Sequence, residues 1–197
     1  MPKVVDRDER KRVIVEAAWR IIAERGIDGV TMRDLASATG YANGALARYF
    51  SGKQEILELA YERIVAATDR RIASSVGAAQ GLVAVRSMCG EILPLTAETR
   101  LEGRIAIALW QRAMTERAIG AHDDDVVARW TAQLSRHLAE AMANDEVSHV
   151  DADIYASLLM HAMIGLQVSA GLRDDPTPVE QRRLLDAVLD PIRLRGA

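Results

Sequence analysis

The sequence predicts an all-α fold of about nine helices, and three observations predict it. Apolar residues return in pairs every four positions near the N-terminus, as one buried helical face requires. Glycines, prolines and capping residues stand where helices of moderate length should start and stop. No stretch alternates apolar and polar residues as a half-buried strand would, and no internal repeat or low-complexity linker breaks the pattern. At 197 residues, 49% hydrophobic and 27% charged, the chain can bury a core as one globular unit or two small ones.

The first helix carries Val13, Ile14, Ala17, Ala18, Ile21 and Ile22 on one face and stops at Gly26. Asp28 and Gly29 make a turn. Thr31 with Asp34 forms a capping pattern that opens a second helix, Met32 to about Ala38, closed by Gly40. A third short helix follows near Asn43 to Tyr49, with Leu46 and Phe50 facing inward. Ser51 and Gln54 repeat the capping pattern and open a long fourth helix through Ile56, Leu57, Ala60, Ile64 and Val65.

Two short helices joined by a tight glycine-containing turn and packed on a longer first helix describe a helix-turn-helix, which presents its second helix to the DNA major groove. Charge agrees with that reading. The net charge of -3 divides into +3 over residues 1–53 and -6 over the rest, so a polyanion is expected at one end only. Lys53 falls in the first turn of the fourth helix, where its charge opposes the helix dipole; a phosphate held there reverses the sign of that effect. Gly44 costs about 1 kcal/mol relative to alanine inside a helix. Its bare backbone admits close approach either by DNA or by a neighbouring helix. Asn43, Arg48 and Tyr49 offer donors suited to bases or phosphates, with packing against Phe50 as the other reading of Tyr49.

The segment TMRDLASATGYANGALARYFSGKQEIL, Thr31 to Leu57, resembles the DNA-binding signature of the TetR (tetracycline-repressor) family of bacterial transcription regulators. Thr31, Ala36, Gly40, Gly44, Leu46, Tyr49, Phe50 and Lys53 stand in register with the family pattern. The resemblance, with the surface donors, gives a candidate DNA-binding set of Thr31, Arg33, Tyr41, Asn43, Gly44, Ala45, Arg48, Tyr49 and Lys53. Two positions depart from the pattern. Ala42 stands where the family usually caps the recognition helix with serine or threonine, so Asn43 is expected to take over as cap. Ala47 stands where a phosphate-contacting tyrosine is common.

The remaining two thirds reads as helix throughout. Leu82, Val85, Met88 and Cys89 space a fifth helix that Pro94 ends or kinks. Leu101, Ile105, Leu109, Trp110 and Met114 space a sixth. Val127, Trp130, Leu134, Leu138 and Met142 space a seventh, with Asp123, Asp124 and Asp125 at its N-terminus. Ile154 to Leu172 contains no charge, long enough for a membrane span, but Ser157, His161, Gln167 and Ser169 make it too polar and no basic flank marks an inside end. A helix so apolar must be covered on every side, by its own core and by a partner, which predicts a dimer. Met160 and Ile164 are the two candidates for its outward face, with the choice between them open. Thr177, Pro178 and Glu180 launch a last helix through Leu185, Val188, Leu189 and Ile192. The family resemblance implies that the last two helices pair with their symmetry mates in a four-helix bundle. RIAIALWQRAM and VVARWTAQL further resemble the C-terminal domain of the betaine-regulator, choline-sensing subgroup.

An enzyme is the competing class, and the residues speak against it. The four histidines lie at gaps of 15, 12 and 12, so none makes the i, i+4 pair of a helical metal site. No P-loop, dinucleotide fingerprint or nucleophile elbow is present. No catalytic residue, metal or cofactor is assigned. Cys89 is the single cysteine and no secretory signal opens the chain, so a reducing cytoplasm is expected.

The resulting expectation is a homodimeric repressor. Residues 1–50 form the three-helix DNA-binding domain that takes a double-stranded operator. Residues 51–197 form the larger domain that dimerises and senses a small-molecule inducer. Trp110, Trp130, Glu102, Met114 and His161 are its candidate ligand residues, with Glu91, Glu98 and Asp123 near enough in sequence to add charge. Tryptophan faces and carboxylates suit an organic cation; an apolar or aromatic compound suits the leucine, isoleucine and methionine lining. A ligand-independent DNA-binding dimer is the alternative.

Overall fold

The computed structural model describes residues 7–26, 29–114, 117–172 and 177–194. Among them are nine α-helices: α1 (Arg7–Arg25), α2 (Met32–Thr39), α3 (Asn43–Leu46), α4 (Lys53–Val76), α5 (Gly81–Ile92), α6 (Ala97–Ala113), α7 (Arg117–Ala143), α8 (Ala152–Leu172) and α9 (Pro178–Leu189). A single antiparallel bridge, Val147 to Arg193, is the β-type pairing found among the described residues. The chain divides into two units, one ending at Ile64 and one beginning at Val65, so α4 has residues in both.

In the first unit α1 buries Ile14, Val15, Ala17, Ala18, Ile21 and Ile22, and further along the chain Leu35, Leu46, Phe50, Ile56 and Ala60 are buried as well. Val13, expected on this face, lies at its edge and is exposed, because the buried stripe is centred one residue further on. Gly26 closes α1 in the left-handed conformation, its N–H 2.9 Å from the Ile22 carbonyl. The expected turn at Asp28 lies outside the described residues.

Thr31 caps α2 as expected: its backbone is extended and its Oγ1 accepts the Asp34 N–H at 3.1 Å. Gly40 ends α2 at φ +71. A Cβ there would meet open space, so the requirement is one of conformation. The third helix is shorter than its expected span of Asn43 to Tyr49. After Leu46 the chain tightens, with Arg48 N–H on the Ala45 carbonyl and Tyr49 N–H on the Leu46 carbonyl, and this brings Phe50 inward beside Leu46. At the start of α4 the cap partner of Ser51 is Glu55, not Gln54. Glu55 Oε2 accepts the Ser51 N–H at 2.8 Å and its hydroxyl at 3.2 Å, while Gln54 turns to Glu58.

In the second unit, residues of α4, α5, α7, α8 and α9 meet in one apolar cluster that includes Ile72, Met88, Leu134, Leu138, Leu159 and Leu189. The α5 helix stops at Leu93, just before Pro94. Its start is unusual: Gln80 supplies no side-chain cap, and two glutamates from far downstream do so instead. Glu140 accepts the Gly81 N–H at 3.3 Å and Glu146 the Leu82 N–H at 2.6 Å. Gly81 sits at φ +60, and any Cβ there would run into the Glu146 carboxylate. α7 begins at Arg117, so Asp125 lies inside it and is exposed rather than in the expected N-terminal turn. The side chains of Asp123 and Asp124 lie outside the described residues.

By length and composition α8 could cross a membrane, yet it contributes Ala156, Leu159, Met160, Met163 and Ala170 to the buried core. Met160 is 1% exposed and Ile164 packs on the core, so neither is an outward position. Besides Asp153 in its first turn, the exposed residues are Ile154, Leu158, His161, Gly165 and Leu172, spaced by four, three, four and seven. α9 opens with the expected capping box, Thr177 Oγ1 and Glu180 exchanging bonds with each other's backbone. It ends at Leu189; Ile192 belongs to a separate 3-10 turn that contains Pro191, which cannot donate the next helical bond.

Candidate nucleic-acid interface and effector region

The outward surface of α2 and α3 is assembled from small residues with cations around them. Ala42, Gly44 and Ala47 are exposed and Ala45 is half-exposed; Arg33 and Arg48 are exposed, and Tyr41, Tyr49 and Lys53 are half-buried. Gly44 answers the question its presence raises. A Cβ added there meets nothing within 4 Å, so no neighbouring helix demands the glycine, and its bare backbone faces outward. The α3 cap position is Ala42, extended and without a side-chain bond, so Asn43 is the first helical residue and does not act as cap. The Asn43 side chain lies outside the described residues.

This surface is held from behind by α1. Arg10 places its guanidinium 5.9 Å from both the Tyr41 and Tyr49 ring centres and donates to the Tyr49 hydroxyl at 2.5 Å. Tyr49 is thus packed and partnered. Arg7 reaches the Arg48 carbonyl at 3.4 Å, and Lys11 lies 5.4 Å over the Phe50 ring while pairing with Glu55 at 3.1 Å. Glu55 is held below the ordinary glutamate range, first by the Ser51 N–H and then by Lys11. Asp34 is likewise lowered, first by the Thr31 hydroxyl, with Arg25 and Arg33 adding attraction. Thr31 is therefore engaged as a cap. The α1 cations escaped the sequence reading, although their spacing of three and four residues marks one helical face.

The candidate ligand residues of the second unit divide. Trp130 donates its Nε1–H to Asp69 at 2.8 Å, and Arg129 contacts both oxygens of the same carboxylate at 3.0 Å. Glu102 is 5% exposed and bonds Arg71 through both oxygens, at 3.0 and 2.7 Å. Burial pushes its carboxyl up, Arg71 opposes this, and Glu98 and Glu91 add to the rise. Glu91 lies 3.3 Å from Arg71 Nε. Met114 follows the end of α6 and is 82% exposed. His161 is exposed on α8, its Nδ1 2.7 Å from the Ser157 carbonyl. Trp110 differs from all of these: its Nε1–H is enclosed and finds no acceptor among the described residues. Cys89 is fully buried, its thiol pushed up to about 12 by desolvation, as befits an inert core residue. Among the described residues no cluster of His, Cys, Asp and Glu could hold a metal ion.

Comparison with known proteins agrees with both halves. Residues 14–60 match the family described as bacterial regulatory proteins, tetR family, and residues 83–193 match the BetI-type transcriptional repressor C-terminal domain. The HTH-type transcriptional regulator PksA of Bacillus subtilis is 29% identical over 193 residues, covering 98% of this chain and 92% of that one. The HTH-type transcriptional regulator BetI of Paraburkholderia phymatum is 25% identical over 174 residues, covering 84% of this chain and 87% of its own. A transcriptional regulator from Saccharomonospora viridis, solved in complex with choline, superposes with a TM-score of 0.86 at 26% identity, over 95% of this chain and all of that one. The helix-turn-helix, the helical domain that follows it and these matches lead to one conclusion: the chain belongs to the TetR family of transcriptional regulators, with a C-terminal domain of the BetI type.

Proposed function

We propose that the chain is a cytoplasmic homodimeric repressor that leaves its operator when a small organic cation binds the second unit. The observation that carries the DNA-binding half is the outward Gly44 backbone between small neighbours, in a unit that also exposes Arg33 and Arg48 and half-exposes Lys53. Small residues let the α3 backbone approach base edges, while arginine and lysine at the margins suit phosphates and guanines. Residues 1–50 supply this function and residues 51–197 supply dimerisation and sensing, with α4 as the covalent connection.

Dimerisation is supported by the exposed stripe on α8, whose spacing is that of a helix–helix seam, and by exposed Val179 and Leu184 on α9. The cation is supported by the BetI-type match, by choline in the Saccharomonospora regulator, and by three glutamates gathered around the single Arg71. Trp110, with an enclosed donor that has no acceptor among the described residues, is the ligand candidate this reading keeps. Glu102 and Trp130 act through their α4 partners, and His161 belongs to the seam.

The test begins with selection of bound duplexes from a randomised library, followed by release on titration with choline and with its neutral carbon isostere. Two half-sites about 34 to 36 Å apart, or a multiple of that, are expected for a dimer. Lys53→Ala should weaken binding to all sequences alike and lower the salt slope by about one; an unchanged slope removes the phosphate role. Equal release by choline and the isostere would exclude the cation.

A further inference from the structure

The second half of α4 is attached to its unit by an unusual balance of contacts. α5, α6 and α8 pack closely on α7, and α6 on α8, but α4 is in none of these close helix pairs. Its apolar anchors in the cluster are Ile72 and Val76. Val65 and Thr68 are buried as well, and two polar clasps add to these contacts. Asp69 holds α7 through Trp130 and Arg129. Arg71 holds α6 through the two-pronged bond to Glu102 and α5 through Glu91, with Thr68 fixing its Nη2 at 3.1 Å.

The Arg71 clasp has two properties that matter. An ion pair with one partner as enclosed as Glu102 adds little net stability, because desolvation offsets the attraction; what such a pair supplies is a defined arrangement. It also gathers several acids. Glu91, Glu98 and Glu102 all act on the Arg71 guanidinium, which draws them in, while Glu98 and Glu91 oppose charge on Glu102. A helix whose position is fixed in part by an ion pair of this kind can be reset by a change at that pair.

We propose that Arg71 is the coupling residue of this regulator: its clasp on Glu102 and Glu91 holds α4 in the DNA-binding setting, and an effector acts by opening it. The proposal rests on the reading that the second unit controls operator binding, and deepens it by naming the contact that changes. Arg71 here is a positioning residue; it need not touch the effector or the DNA.

The informative variant is Arg71→Met combined with Glu102→Leu in the full-length protein, which removes both charges while keeping bulk. A merely structural pair predicts wild-type behaviour once both charges are gone, since apolar replacement of such pairs is often neutral. The coupling role predicts otherwise. Thermal midpoint and dimer mass should stay at the wild-type values, while amides 65–76 exchange faster and operator affinity without effector falls about tenfold, within the usual range of coupling between sites. Wild-type exchange over 65–76, or wild-type operator affinity, overturns the proposal. Should the double variant fail to fold, Arg71→Lys is read instead, since it keeps the charge and loses the fork; unchanged exchange there also overturns it. A wild-type protein that selects no duplex defeats the DNA-binding reading, and the exchange measurement still decides the clasp.

Discussion

α3 and α8 both present exposed outer faces, and they are built in opposite ways. α3 has four residues, one of them fully buried, and outward it shows alanine and glycine. It cannot hold itself, since a helix of one turn has almost no stability of its own; Arg7, Arg10 and Lys11 of α1 fix the chain around it. α8 has 21 residues, is set by its buried leucine and methionines, and leaves apolar side chains outside. On the proposed reading, a face for a charged polymer is kept small and is steadied by cations of α1, whereas a face for a second copy keeps its own apolar bulk. Damage should therefore travel differently: changes in the α8 face alter assembly, while changes in the α3 face alter recognition and spare the fold.

The largest expected effect is on α8. Leu158→Glu places a carboxylate in the exposed seam, half-exposed in the single chain and so tolerable there. Burying it unpaired between two copies should cost at least about 3 kcal/mol, more than a hundredfold in the dimer dissociation constant. Light scattering that still finds a dimer would move the interface off α8. Gly44→Ala comes next and sharpens the contrast. The added methyl meets open space, so stability should hold or rise by up to about 1 kcal/mol, while operator affinity falls about tenfold, or 1.4 kcal/mol. Unchanged affinity would mean that DNA does not come close to this backbone.

The smallest effect concerns the support behind α3. Glu55 has a folded pKa below its unfolded value, so its contribution to stability is present above the ordinary glutamate value of about 4.3 and is lost as pH falls through the lowered folded value. Glu55→Gln should accordingly be slightly less stable at neutral pH and should show a flatter acid limb in unfolding followed by circular dichroism. An acid limb identical to wild type would mean that Ser51 and Lys11 do not matter to this unit.

What could be read from sequence was the local part. Thr31, Gly40 and Thr177 announce helix ends because a cap involves residues three or four apart, and such spacing is visible in a string of letters. The Thr31 to Leu57 segment was legible for the same reason: its gaps are short and fixed. Where the reading failed, distant residues decided. The start of α7 went unnoticed because the acids Asp123 to Asp125 imitate a first turn, and nothing local reveals that the helix begins at Arg117. The phase of α8 was misjudged because a helix apolar on nearly all sides has no polar face to mark its outside; Met160 and Ile164 differ from Leu158 only in what packs on them. Glu102 and Trp130 were noticed by type, but their partners Arg71 and Asp69 come from another helix, and no spacing rule reaches that far. The commitment of those side chains to α4 could be seen only in three dimensions.

The start of α5 has a consequence for the order in which the chain can be completed during synthesis. Its first two amides are capped by Glu140 and Glu146, about sixty residues downstream, and Gly81 exists to let the second of these in. A ribosome that has released α5 and α6 has therefore made a helix whose N-terminus is still waiting for its acceptors. Only when the end of α7 and the turn beyond it emerge can α5 settle, and with it the apolar cluster it shares with α7 and α8. Among the described residues of the first unit, the side-chain caps at the starts of α2 and α4 are local, so the helix-turn-helix can take its shape well before the second unit is complete.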